Sequence, residues 1–164
     1  MRKTLILLAA VTVFAVGCGD SSSSSLPVKL SGTTANKGTK DITGTAVDVE
    51  MDDFAFNPTF LRGGTPGATI TVHLKNAGKI AHTFTSTAFG VDQMVAPGQS
   101  ADVQVTLPQS GATEYHCKFH QQSNGMQGSF FFKDGDSVIG ASPGGPSSVS
   151  TSSSSSAYGG YDYN

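Results

Sequence analysis

The middle of the chain carries apolar side chains at every second residue. The alternation runs through residues 47–51, 70–74 and 103–107, and the residues in between are charged or polar. Successive side chains of an extended strand point to opposite faces, so this spacing gives each strand one apolar face. An amphipathic helix needs apolar residues three and four positions apart, and no segment of this region shows that spacing convincingly. The pattern therefore predicts a core built from strands.

Turn-forming residues separate these strands at short intervals. They include Asn57-Pro58, Gly63-Gly64, Pro66-Gly67 and Pro97-Gly98. Short strands with such spacing are typical of a two-sheet β-sandwich with Greek-key connections. We expect this all-β domain to occupy residues 46–139, a length that buries enough surface to fold alone.

Both ends of the chain differ from this middle region in composition. Residues 18–45 contain the run Ser21–Ser25 and further Gly, Thr and Lys, and residues 140–164 are rich in Ser and Gly. Segments with so few apolar residues cannot offset the entropy lost on ordering. We expect a flexible tether at 18–45 and a disordered tail at 140–164.

Residues 1–17 have the features of an export signal. Arg2 and Lys3 precede an apolar run from Leu5 to Val16. As a helix this run is about 18 Å long, too short for a hydrocarbon core of about 30 Å. The run ends in Ala15-Val16-Gly17-Cys18, which resembles a bacterial lipobox. We expect lipidation of Cys18 and attachment to the outer face of a bacterial cell membrane; a plain secretory signal is the alternative.

The charge balance restricts the partners. The chain has 10 Lys and Arg against 12 Asp and Glu. A protein that binds nucleic acid neutralises phosphates with an excess of basic residues, which is missing here. We therefore expect no nucleic-acid partner.

Cys117 is an unpaired thiol in an oxidising compartment once Cys18 is lipidated. Either the thiol is buried and inert, or it binds a metal. Alternation along its strand predicts that it points inward, and His120 and Met126 follow in the next loop. A thiolate, an imidazole and a thioether together suit copper.

Four motifs follow one another between residues 53 and 128. They are Asp53-Phe54-Ala55-Phe56-Asn57-Pro58, Asn76-Ala77-Gly78 with His82-Thr83-Phe84, Val95-Ala96-Pro97-Gly98-Gln99-Ser100, and Glu114-Tyr115-His116-Cys117-Lys118-Phe119-His120 with Gly125-Met126-Gln127-Gly128. In this order they make the sequence similar to the cupredoxins, and among these to the plastocyanin-like group.

The resemblance implies one type 1 copper ion. His82, Cys117 and His120 would be its three strong ligands, and Met126 its weak axial ligand. It further implies a monomer that carries single electrons between redox proteins, such as a cytochrome or an oxidase, and that is not an enzyme. The alternative is a copper-binding protein that buffers or delivers the metal without redox turnover.

Two positions depart from the plastocyanin pattern. Five residues separate His120 from Met126, one more than in plastocyanins, so that a carbonyl of Gln121 or Gln122 would be able to compete for the axial position. Thr83 stands where plastocyanins have an Asn that ties the two ligand loops together, which leaves open whether its hydroxyl makes the same bond.

Overall fold

The computed structural model describes residues 25–139. Over this range the chain forms ten strands and one helical turn: β1 (Thr39–Ile42), β2 (Ala46–Asp52), β3 (Ala55–Asn57), β4 (Phe60–Gly63), β5 (Thr69–Asn76), β6 (His82–Ser86), β7 (Val91–Val95), β8 (Ser100–Thr106), β9 (Thr113–His116), α1 (Gln121–Asn124) and β10 (Gln127–Phe131). The expected export signal, Cys18 and the tail at 140–164 lie outside the described residues. Within 25–139, no helix has the length and apolar character needed to cross a membrane.

The strands form two sheets, which confirms the expected β-sandwich. One sheet has the order β1-β4-β10-β9-β6-β7 and the other β3-β2-β5-β8. Both are mixed, because β4 pairs in parallel with β1 and β10, and β2 pairs in parallel with β5. Non-consecutive strands are thus neighbours, and the side chains of distant segments meet.

Apolar side chains from both sheets fill the space between them. The alternating residues of β2, β5 and β8 are buried as predicted: Val47, Val49, Met51, Ile70, Val72, Leu74, Val103 and Val105. In the other sheet Phe84 stacks on Tyr115 with ring centroids 4.7 Å apart. The Tyr115 hydroxyl donates a hydrogen bond of 2.8 Å to the Thr59 carbonyl, and burial raises the pKa of Tyr115.

Residues 25–45 differ from the flexible tether expected from their composition. Val28 and Leu30 are buried against Phe60 and Phe131 on the outer face of the six-stranded sheet. Residues 31–35 then cross to the segment around Gly125, and β1 follows as an edge strand. The folded domain therefore begins well before residue 46. Three buried side chains, Val28, Leu30 and Ile42, together with hydrogen bonds, order a segment of otherwise polar composition.

Three connections meet at one end of the sandwich, which we call the loop end. They are the turn 53–54, the loop 77–81 and the segment 117–126. The ring of Phe54 lies edge-on to that of His120, and the Lys79 amide donates a hydrogen bond to the Asp53 carboxylate. The described residues nearest the two chain termini lie at the opposite end, where Gly135 bonds to Pro27 and Ile139 to Ala112.

Candidate metal centre

Two histidines and a cysteine come together at the loop end. Cys117 Sγ lies 3.4 Å from His120 Nδ1 and 3.9 Å from His82 Nδ1. One potential ligand atom from each residue falls within 4.8 Å of the others, and the group forms the metal-binding cluster of the described residues. His82 opens β6, Cys117 follows β9, and His120 precedes α1. The structure thus unites residues that are 38 positions apart in sequence.

The spacing of these atoms fits a shared metal ion. Bonds of about 2.0 Å to nitrogen and about 2.3 Å to sulfur at a trigonal angle would place the two atoms about 3.7 Å apart. The observed separations of 3.4 and 3.9 Å lie on either side of this value. Two imidazoles with a thiolate form a donor set that suits copper. The residues present therefore fit a copper ion.

Burial differs among the three residues. His82 and Cys117 are fully buried, while His120 is partly exposed between the rings of Phe54 and Phe119. Burial, and then the neighbouring His120, lower the pKa of His82, which keeps its imidazole neutral and able to bind a metal. Cys117 is a free thiol screened from solvent.

The segment after His120 accommodates its extra residue in a helical turn. The Asn124 amide donates to the His120 carbonyl, and the Gly125 amide donates to the Gln121 carbonyl. Gly125 ends the turn in the left-handed conformation with φ 70°. The Met126 amide then donates a hydrogen bond to the His120 carbonyl. The helical turn therefore keeps Met126 close to His120 although five residues separate them.

Met126 comes back beside Cys117. The Cys117 amide donates a hydrogen bond of 3.0 Å to the Met126 carbonyl. The Met126 side chain is fully buried in the same apolar core as Cys117. The Gln121 carbonyl accepts the Gly125 amide, and Gln122 is exposed. The Gln121 carbonyl is thus already bonded within the helical turn, and Met126 is the buried side chain of this segment next to Cys117.

Thr83 joins the two ligand segments. Its hydroxyl accepts a hydrogen bond of 2.9 Å from the Lys118 amide, and its own amide donates to Cys117 Sγ at 3.4 Å. The first bond ties the start of β6 to the segment after β9. The second is made to the sulfur itself, where amide donors tune a metal thiolate. The threonine therefore makes the inter-loop bond that the sequence left open.

Asn76 shapes the loop that leads to His82. Its side-chain amide donates to the carbonyls of Ile80 and Val95, and its Oδ1 accepts from the Gly78 amide. Asn76 is itself fully buried. These hydrogen bonds therefore hold the loop 77–81 in place just before His82.

The segment 31–35 braces the ligand loop, a role not predicted from the sequence. The buried side-chain amide of Gln127 donates to the carbonyls of Ser31 and Thr33, and the Ala35 amide donates to the Gly125 carbonyl. The alternation of Val28 and Leu30 just before this segment is the one signal of order in its sequence.

Comparison with known proteins finds one matching family model and several similar solved structures. A family model described as a cupredoxin-like domain matches residues 20–130. The chain is similar to a reduced auracyanin from the photosynthetic bacterium Roseiflexus castenholzii, with 18% identity, a TM-score of 0.48, and coverage of 54% of this chain and 97% of that chain. The chain is also similar to auracyanin A, a "blue" copper protein from Chloroflexus aurantiacus, with 18% identity, a TM-score of 0.42, and coverage of 54% of this chain and 99% of that chain.

A copper-containing nitrite reductase from Thermus scotoductus gives 18% identity, a TM-score of 0.42, and coverage of 54% of this chain and 27% of that chain. Comparison with curated protein sequences finds no significant match. The family model, in contrast, spans well over half of the chain, from residue 20 to residue 130. On this match, the chain belongs to the cupredoxin-like domain family.

Proposed function

We propose that this chain binds one copper ion through His82, Cys117, His120 and Met126 and carries single electrons between redox proteins outside the cytoplasm. The observation that carries the proposal is the buried cluster of two imidazoles and a free thiol at the loop end. Copper in such a site supplies a one-electron couple between Cu(I) and Cu(II).

The protein's contribution is to hold the ligands in one arrangement. Thr83 bonds to Cys117 Sγ and to the Lys118 amide, and the Cys117 amide bonds to the Met126 carbonyl. Ligands fixed by such bonds move little when the charge on the metal changes, and a small rearrangement favours fast electron transfer. No substrate needs to approach the metal, so we propose a carrier and not an enzyme.

His120 is the ligand through which we propose that electrons enter and leave. It is the partly exposed member of the cluster, and it lies between two exposed rings, Phe54 at 39% and Phe119 at 55% exposure. An apolar surface around a ligand suits brief contacts with a redox partner such as a cytochrome or an oxidase. Lipid on Cys18 would hold the protein at the outer face of the membrane.

The burial of the cluster favours a carrier over a protein that delivers copper. His82 and Cys117 are fully buried, and His120 is the partly exposed member of the three. We therefore expect a copper ion held there to exchange slowly. Transfer of copper to a chelator within seconds would support delivery instead.

The test is a visible absorption and electron paramagnetic resonance spectrum of residues 19–164 with one equivalent of Cu(II). We expect an intense thiolate-to-copper charge-transfer band and narrow copper hyperfine splitting. Both features are lost in the control, Cys117→Ser. A pale spectrum with broad splitting that is identical in the two proteins would contradict the proposal, because Cys117 would then be no ligand.

A further inference from the structure

One buried ring nitrogen of the metal-binding cluster has no hydrogen-bond partner. Nδ1 of His82 faces Cys117 Sγ, and the other nitrogen, Nε2, points away from it. Among the residues that the structure describes, His82 Nε2 is the buried side-chain nitrogen or oxygen that lacks a bond. Buried polar atoms are nearly always bonded, so an unbonded one calls for an explanation.

The carboxylate of Asp53 lies next to this nitrogen. Asp53 Oδ1 is 3.7 Å from His82 Nε2, at the edge of the surface with 36% of its side chain exposed. The Lys79 amide donates a hydrogen bond of 2.7 Å to the same oxygen. The carboxylate is therefore held in place by the loop that leads to His82.

Gly78 leaves the space that this carboxylate occupies. A Cβ atom at residue 78 would overlap Asp53 Oδ1. The Gly78 amide is in turn bonded to Asn76, which fixes the loop from within. The turn 53–54 and the loop 77–81 thus fit together around one oxygen atom that faces a ligand imidazole.

We infer that Asp53 is a positioning residue for the copper centre: it accepts the Nε2–H of metal-bound His82 and lowers the reduction potential. This inference rests on the proposed function. A proton on Nε2 leaves Nδ1 free to bind the metal, so an acceptor at Nε2 selects the binding tautomer. The negative charge also stabilises Cu(II) more than Cu(I), since Cu(II) carries one more positive charge.

Asp53→Asn tests the charge while keeping an oxygen for the Lys79 amide. In residues 19–164 loaded with copper, we expect the ratio of Cu(I) to Cu(II) at a fixed applied potential to rise about tenfold, which is 59 mV for one electron. The matched control is Asp52→Asn, which removes the same charge from the adjacent residue at the end of β2. We expect less than a threefold change for the control.

Gly78→Ala displaces the carboxylate without changing the charge. The added methyl group overlaps Asp53 Oδ1. We therefore expect the ratio of Cu(I) to Cu(II) at a fixed applied potential to rise, as it does for Asp53→Asn. In the double variant the two effects should not add, since both remove one interaction. Additive effects would overturn the inference.

A nitrogen NMR spectrum of the Cu(I) protein gives a readout independent of the potential. We expect the His82 ring to carry its proton on Nε2, and hydrogen exchange at this site to be at least tenfold faster in Asp53→Ala. Equal shifts of potential in Asp53→Asn and Asp52→Asn would overturn the role of Asp53 while the blue spectrum remains. Absence of that spectrum in the unchanged chain would overturn the proposed function and this inference together.

Discussion

Thr83 is bonded to both segments that carry the proposed ligands. Replacing it with Val keeps the shape but removes the acceptor of the Lys118 amide. An amide left without a partner in a buried site costs about 1–3 kcal/mol, and since this bond is only partly buried, the lower end of that range applies. We expect Thr83→Val to lower the free energy of unfolding of the metal-free protein by about this amount, measured in urea. Thr83→Ser keeps the hydroxyl and should show a clearly smaller loss than Thr83→Val. A loss in Thr83→Ser with none in Thr83→Val would show that the methyl group matters and the bond does not.

Met126 sets the balance between the two copper oxidation states in the proposed site. Met126→Leu removes the weak axial donor, which favours Cu(II), and preserves the apolar volume. We expect copper binding to persist and the reduction potential to rise by at least about 59 mV, a tenfold change in the ratio of oxidation states. Voltammetry measures this shift. The control is Met94→Leu, the same change at a side chain that is 62% exposed; an unchanged potential in Met126→Leu would mean that Met126 is not the axial ligand.

Residue types point to the proposed ligands but not to the contacts that support them. His82, Cys117, His120 and Met126 carry donor atoms that suit copper, and a resemblance over four motifs is enough to single them out. The supporting bonds depend on where backbone amides lie after folding. The resemblance draws attention to position 83 but leaves its bond open, and it gives Asp53 no role. The contacts of Thr83 with the Lys118 amide and of Asp53 with the Lys79 amide are fixed only by the fold.

The helical turn α1 depends on Gly125 for two separate reasons. Its φ of 70° is unfavourable for other residues, and a Cβ atom there would overlap the Thr33 carbonyl of the bracing segment. We expect Gly125→Ala to reduce the free energy of unfolding by about 3 kcal/mol, the sum of backbone strain and overlap. Gly90→Ala is the matched control: its φ is 64°, with open space around it, so that only the strain of about 1 kcal/mol remains.

A comparison of both variants by urea unfolding separates strain from overlap. Equal losses would show that the segment 31–35 yields to the added methyl group and does not brace the ligand loop. With copper bound, we expect the paramagnetic resonance spectrum of Gly90→Ala to be unchanged. That of Gly125→Ala should change, because Gly125 directly precedes Met126.

Elements with a buried face were predictable, and elements held by backbone bonds were not. The alternation at 47–51, 70–74 and 103–107 places β2, β5 and β8 correctly. Residues 31–35 have no such alternation, and they are ordered by bonds to Gln127 and Gly125 that form only in the folded chain. Composition therefore predicts a flexible tether at residues 31–35, whereas the structure shows an ordered segment bonded to Gln127 and Gly125.

At the scale of the whole molecule, the described ends of the chain lie away from the cluster. Pro27 lies beside Gly135, and the last described residue, Ile139, lies beside Ala112, at the end opposite the loop end. Seven residues separate Cys18 from Leu26, and the eight residue-to-residue steps between them span at most about 29 Å. If Cys18 is lipidated as proposed, the loop end faces away from the membrane, toward redox partners.

This orientation is measurable in a nanodisc that contains spin-labelled lipids. For the lipidated, metal-free chain we expect the NMR signals of Gly135 and Ala112 to broaden several-fold more than those of Phe54 and Phe119 at the loop end. The control is the chain beginning at residue 19, which lacks the anchoring cysteine and should show no such gradient. Stronger broadening at Phe54 and Phe119 would mean that their exposed rings insert into the lipid. The apolar surface around His120 would then serve as a membrane contact, which is incompatible with its proposed use as the docking surface for a redox protein.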